Sequence, residues 1–155
     1  MTPAINAARK AKIAHQVHEY AHDPSSESYG VEAAEKLGLA EYRVFKTLVV
    51  TVDNAAFVVG VVPVSSMLSM KALAKAMGAK KAALAKPADV ERVTGYVLGG
   101  VSPLGQKKRL KTIIDASART FPTIYVSAGR RGLQIELDPE DLTRLTGGRF
   151  AEIGN

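Results

Sequence analysis

The sequence predicts an α/β domain built around a mixed β-sheet. Helix-forming and strand-forming segments interleave along the chain, which favours a sheet covered by helices. Two strand pairs are joined by short turn-forming segments, and such hairpins must be antiparallel, so the sheet cannot be purely parallel. At 155 residues, 46% of them hydrophobic and 23% charged, the chain is long enough for one ordinary core and reads as one domain over 1–155.

The elements follow in order. Thr2-Pro3 is an N-cap followed by proline at the first helical position, opening an Ala-rich helix to about Lys12. Ile13 to Tyr20 reads as a strand and His22 to Ser28 as a polar loop. Val31 to Leu37 reads as a helix, with Gly38 placed as its C′ residue. Phe45 to Val52 and Ala55 to Val64 are rich in β-branched residues around Asp53-Asn54, a two-residue hairpin turn. Both are apolar on both faces over much of their length, which places them mid-sheet under cover.

Ser69 caps a helix from Met70 to Met77, ended by Gly78. Lys80-Lys81 precedes a short apolar stretch, and Pro87 to Val93 makes another short helix. Thr112 to Asp115 reads as a strand. Thr123 to Ser127 and Leu133 to Leu137 form a second hairpin around residues 128–132. Asp138-Pro139-Glu140-Asp141 starts a helix with an N-cap aspartate, proline at N1 and acids in the first turn. No repeat, linker or low-complexity tract appears.

Composition excludes several chemistries. With no cysteine, disulfides, thiolate metal sites and a cysteine nucleophile are all absent. Residues 1–14 carry Arg9, Lys10 and Lys12 among alanines, which is no signal peptide, and no apolar run approaches the roughly 20 residues of a membrane span. The expected address is the cytoplasm, with no membrane partner. A net charge of +6 favours polyanionic partners, although a basic protein need not bind nucleic acid.

The segment Gly99-Gly100-Val101-Ser102-Pro103-Leu104-Gly105 lies between an apolar run (Tyr96, Val97, Leu98) and a basic one (Lys107, Lys108, Arg109, Lys111). A loop of this kind can aim several N–H groups at one point and cradle an oxyanion or phosphate. It is equally readable as a strand-ending turn. It is neither a P-loop nor a dinucleotide fingerprint. His15, His18 and His22 crowd one segment, but no cysteine or HExxH supports a metal site, and none is expected. No Gly-x-Ser-x-Gly elbow is present, and Ser102 precedes a proline, so a serine triad is not indicated.

Thr94 to Arg109 (TGYVLGGVSPLGQKKR) resembles the signature loop of the YbaK/EbsC family, free-standing relatives of the editing domain inserted in bacterial prolyl-tRNA synthetases. Tyr42 to Leu48, with its Lys46-Thr47 pair, Thr123 to Gly129 followed by Arg131-Gly132-Leu133, the opening Met1 to Ala4 and Tyr20 to Asp23 extend the resemblance over nearly the whole chain. It implies a compact domain with a strongly curved mixed sheet flanked by helices. It also implies a deacylase that clears cysteine from tRNA(Pro), with tRNA(Cys) as an open second substrate, without a cofactor. Its partner would be the aminoacylated 3′ end of tRNA, with prolyl-tRNA synthetase as an open second partner.

Strand alternation alone would send Lys46 to solvent; the resemblance puts it in the editing pocket. The implied catalytic set is Lys46 with Gly99, Gly100 and Ser102 of the loop. Tyr20, Thr47, Val101, Gly105 and Ser127 would complete the substrate pocket, and Lys107, Lys108, Arg109 and Arg131 would face the tRNA. Where relatives are expected to carry an aspartate, this chain has Gln134, with Glu136 on the same strand face as a partial substitute. The sequence nominates no general base, so the implied route is attack by the substrate's own thiol on its ester carbonyl. A deacylase for another small amino acid such as alanine, or a non-catalytic tRNA or synthetase-binding module, remains as an alternative.

Overall fold

Thr2 caps the first helix as expected: its hydroxyl accepts from the Ile5 N–H and opens helix α1 (Pro3–Ala11). The computed structural model describes every residue except Glu27; the polar loop expected over residues 22–28 falls, at that residue, outside the described residues. Strand β1 (His15–Glu19) is shorter than expected. Helix α2 (Tyr29–Leu37) starts two residues early and ends at Gly38.

The first hairpin forms as read, with β2 (Phe45–Val52) and β3 (Ala56–Pro63) in register from Phe45–Pro63 to Val52–Ala56. Asp53 and Asn54 both have positive φ, 51° and 52°, the pair of left-handed residues that matches a hairpin's twist. Helix α3 (Met70–Ala76) follows, capped by Ser69. The short apolar stretch proves to be strand β4 (Ala82–Leu84), then come α4 (Pro87–Thr94) and β5 (Lys111–Asp115). The second hairpin is β6 (Ile124–Ser127) with β7 (Leu133–Leu137). Helix α5 (Pro139–Thr146), capped by Asp138, and strand β8 (Arg149–Ala151) complete the chain.

The strands divide into two hydrogen-bonded sheets. One is mixed, in the order β4-β2-β3-β5-β8, with β3–β5 and β5–β8 parallel; the other is antiparallel, in the order β1-β7-β6. They meet at a single parallel bridge, Val44 with Tyr125. The mixed sheet flanked by helices that the resemblance implies is thus present, with the antiparallel sheet joined to it at this junction. Beyond it, β2 has β3 along its whole length but β4 only at residues 50–52, with the Val49 carbonyl accepting from the Ala85 N–H, so residues 45–48 form an open edge. The expectation that both strands are fully covered holds for the later part of β3, which is buried from Val58 to Pro63, and fails for the half-buried start of β2.

Two apolar clusters flank the mixed sheet. The larger joins Ala4, Ile5 and Ala8 of α1 to Phe45, Val59, Ile114, Ile135 and Leu142, tying both sheets and α5 together. The smaller packs Leu73 of α3 against Val50, Val58, Val62 and Ile113. Burying each of these large side chains contributes about 1.5–3 kcal/mol. A third group, Ala33 and Ala34 of α2 with Val44 and Tyr125, sits over the junction of the sheets. Among the described residues no helix is long and apolar enough to cross a membrane.

Candidate active site

The interruption between the sheets opens into a cleft of about 510 Å³. Its walls are the open edge of β2, the start of α2, the β6–β7 turn and the Leu98–Val101 loop. Lys46, Thr47, Tyr20, Ser127, Gly99, Val101 and Arg131, all nominated from the sequence, line it together. So do Tyr29, Arg130 and Gln134. No carboxylate lines the cleft among the described residues, whereas three cations do.

Lys46 is the second residue of β2 and pairs with Val62. It is half-buried and makes no ion pair among the described residues; burial holds its ammonium below the usual lysine value of 10.5. A desolvated, uncompensated cation is a standing cost unless a ligand meets it. Thr47 beside it has a buried hydroxyl with no hydrogen-bond partner. The Val64 N–H donates to the Val44 carbonyl, and the alternation of antiparallel pairing then turns the backbone groups of Thr47 away from β3, toward the open edge. Across the cleft, the side-chain carbonyl oxygen of Gln134 is also buried without a partner, and the residue is only 7% exposed. Orphaned polar atoms of this kind call for a ligand or water.

Tyr20 is fixed by its N–H bond to the Gly132 carbonyl, and burial raises its phenol above 10.0. The Ser127 hydroxyl oxygen accepts from the Gly129 N–H, leaving its own proton for a ligand. Glu136 does not replace a pocket carboxylate. Burial would raise its pKa, but bonds from Thr123 and His18, at 2.6 and 2.9 Å, outweigh this and hold it ionised outside the cleft.

The signature loop contributes less to the cleft than the sequence suggests. Val97 to Gly100 is a turn in which the Gly100 N–H donates to the Val97 carbonyl, with Gly99 at φ +88°. Gly100 is therefore no oxyanion donor. Its role is packing, since a Cβ there would lie 2.7 Å from the Arg130 Cα. Ser102 is fully buried and its hydroxyl accepts from the Leu104 N–H at 3.2 Å, so it does not reach the cleft. Gly105 lies against α1, where a Cβ would meet the Pro3 carbonyl oxygen at 2.5 Å. The N–H groups of Gly99 and Val101 make no hydrogen bond among the described residues, and they are the donors that the loop offers.

Of the four basic residues expected to face the tRNA, only Arg131 lines the cleft. Lys107 and Lys108 are exposed on the far side of the loop, their N–H groups bound to the Thr94 and Val93 carbonyls. Arg109 packs its guanidinium on Gly147 at the end of α5. The histidines are dispersed among separate partners: His15 donates to the Ile13 carbonyl, His18 pairs with Glu136 and His22 with Glu32. Among the described residues no group of three or more His, Cys, Asp or Glu side chains could hold a metal ion.

A family model described as an aminoacyl-tRNA editing domain matches residues 23–145, which span β2, the signature loop and both arms of the second hairpin. The chain belongs to that family. The editing domain is 42% identical over 153 residues, 98% of this chain and 92% of the relative, to a protein of Enterococcus faecalis named "Putative Cys-tRNA(Pro)/Cys-tRNA(Cys) deacylase EbsC". It is 28% identical over 115 residues, 74% of this chain and 73% of the relative, to the uncharacterized protein YwhH of Bacillus subtilis. A crystal structure titled "a putative trans-editing enzyme for prolyl tRNA synthetase" shares the fold, with a TM-score of 0.85 at 23% identity over 99% of this chain and 95% of that one.

Two features of the editing domain's cleft escaped the sequence reading: Tyr29 and the network behind Arg131. The Arg131 guanidinium lies 3.7 Å from the Tyr29 ring centroid, and its Nη1 donates to His22 Nε2 at 3.0 Å. His22 and Arg131 are 109 positions apart, so no local pattern could have paired them.

Proposed function

We propose that this editing domain hydrolyses cysteine from misacylated tRNA(Pro), using the substrate's own thiol as nucleophile. The observation that supports this reading most is the desolvated Lys46 ammonium, which has no ion-pair partner among the described residues, in a cleft where no described residue contributes a carboxylate. Such a site suits an ester with a nucleic-acid leaving group and, among the described residues, offers no carboxylate base to activate water. The similarity to a relative named for Cys-tRNA(Pro) and Cys-tRNA(Cys) supports the amino acid.

In this mechanism Lys46 and the Gly99 and Val101 N–H groups meet the ester carbonyl oxygen and stabilise the charge that develops on it. The orphaned acceptor oxygens of Thr47 and Gln134 take the α-amine, and the Ser127 hydroxyl and Tyr20 phenol close the pocket. Arg131, with Arg130 beside it, meets phosphate at the 3′ end. The thiol sulfur attacks the carbonyl carbon as its proton leaves to solvent. The tetrahedral intermediate then expels the ribose oxygen, which takes up a proton. The products are free tRNA and a cyclic thiolactone, which water opens to cysteine. A thiol is partly ionised near neutral pH and strongly nucleophilic, so no base from the protein is required. The reading carries a cytoplasmic address, aminoacylated tRNA as the partner and prolyl-tRNA synthetase as a further one.

The test is deacylation of Cys-tRNA(Pro), Cys-tRNA(Cys), Ala-tRNA(Pro) and Ser-tRNA(Pro) side by side. Seryl ester should bind and turn over slowly, and a transient thiolactone should precede free cysteine. Equal rates on seryl and cysteinyl esters, with no thiolactone, would replace the thiol with attacking water. Turnover of the alanyl ester alone would reassign the amino acid, and binding without any turnover would leave a recruiting module.

A further inference from the structure

Arg131 is held by a network that the reaction scheme does not use. Its Nη1 donates to His22 Nε2 at 3.0 Å, so that nitrogen carries no proton and Nδ1 carries it instead. That Nδ1–H donates to Glu32 Oε1 at 2.7 Å, and Glu32 Oε2 accepts from the Asp23 N–H at 2.8 Å. Glu32 is 5% exposed; burial raises its pKa, but the bonds from His22 and Asp23 outweigh this and keep it ionised. The guanidinium is stacked on Tyr29 from one side and set against Gly99, where a Cβ would lie 2.7 Å from its Nε. The guanidinium is thereby held at Nη1, on one face and beside Nε.

The constraint leaves one edge unused. Nη1 is the nitrogen committed to His22, while Nε and Nη2 make no hydrogen bond among the described residues. Those two N–H groups form the parallel fork that binds a phosphate through two oxygens at once. A buried carboxylate spent on orienting an imidazole, which in turn orients an arginine, costs stability that ordinary packing would not.

We propose that Glu32 and His22 are positioning residues that lock Arg131 against Tyr29 as a prepared, two-pronged site for a phosphodiester of the substrate's 3′ end. The inference rests on the reading of the cleft as a site for the end of tRNA, and it adds the residues that fix the geometry of phosphate capture. Pre-ordering the arginine removes the entropy cost of ordering it at binding, so loss of the relay weakens association more than it slows the bond-breaking step.

The test is a double-mutant cycle read by equilibrium binding of a single-stranded RNA ending in CCA, which requires no hydrolysis. His22→Phe keeps a ring but removes the acceptor for Arg131. It should weaken RNA binding roughly tenfold in the wild-type background and change it little in the Arg131→Ala background, within the usual range of coupling between contacting residues. His22→Gln, which returns an acceptor near the Nε2 position, should recover most of the loss. On Cys-tRNA(Pro), KM should rise more than kcat falls. An equal loss in both backgrounds, or none in His22→Phe, overturns the relay. Should His22→Phe fail to fold, Glu32→Gln in the same cycle reads the same coupling. If RNA binding shows the coupling but the wild-type protein leaves Cys-tRNA(Pro) intact, the relay stands and the proposed reaction falls.

Discussion

The β2 wall of the cleft leaves its polar side chains without partners among the described residues, whereas the wall at the β6–β7 turn ties its main cation to Tyr29 and His22. Lys46 and Thr47 sit where a sheet edge is left open, and among the described residues nothing pairs with their side chains. Arg131 lies about the same cleft but is stacked on Tyr29 and hydrogen-bonded to His22, which is braced by Glu32. The difference separates two tasks. A group that must answer to charge developing during a reaction is best left for the substrate to satisfy, while a group that grips a fixed anion gains from being set in advance.

The comparison breaks most decisively at Lys46. Lys46→Ala should lower kcat/KM by at least about 10²-fold, the scale of losing one group that stabilises a developing oxyanion. Because the folded protein holds the ammonium below 10.5, the cation opposes folding at neutral pH, and that opposition fades as pH rises past the lowered value. Lys46→Met should therefore melt no lower than wild type at pH 7. A clear drop in melting temperature with retained turnover would make Lys46 a structural residue.

Gly99 lies against the arginine wall, beside Tyr29 and Arg131. Gly99→Ala must place a Cβ at φ +88° within 2.8 Å of the Tyr29 ring and 2.7 Å of Arg131 Nε. It should cost about tenfold or more in KM by displacing the arginine, alongside a loss in kcat from the shifted N–H. Unchanged binding of RNA would separate the loop from the arginine wall.

The partnered wall should also be the acid-sensitive one. The folded-state pKa of Glu32 lies below its ordinary 4.5, so its ionised form stabilises the fold above about pH 4.5, and this is lost as pH falls through the lowered value. In thermal melts, wild type should lose stability below about pH 5 more steeply than Glu32→Gln, and parallel curves would show that the carboxylate contributes nothing. Thr47→Val should go the other way: filling an unpartnered position with a methyl leaves stability equal or higher, within about 1–3 kcal/mol, while KM rises.

The smallest effect is expected at Ser102. Ser102→Ala removes one hydrogen bond to the Leu104 N–H and should cost about 0.5–1.5 kcal/mol of stability with kcat intact. A large loss of kcat in a folded Ser102→Ala protein would return the loop serine to the chemistry.

By itself the sequence determined what local chemistry determines. Thr2, Ser69 and Asp138 cap helices because their side chains reach N–H groups two or three residues on, and Asp53-Asn54 turns the chain because both accept positive φ. The strands rich in β-branched residues and both hairpins were legible for the same reason, as were Lys46, Thr47, Tyr20, Ser127 and Arg131 through motifs that stand intact in the chain. Strands β4 and β8, three residues each, carry too few positions for a period to register. Tertiary structure alone decided the rest. Whether Gly100 offers its N–H to a ligand or to Val97, and whether Ser102 faces the cleft or the core, depends on how a loop folds back on itself. The split between two sheets, the open edge of β2 and the Glu32–His22–Arg131 relay depend on residues up to about a hundred positions apart meeting at one junction. Such pairings are set by packing of the whole core, where many weak contacts must be satisfied together, and no single segment contains that information.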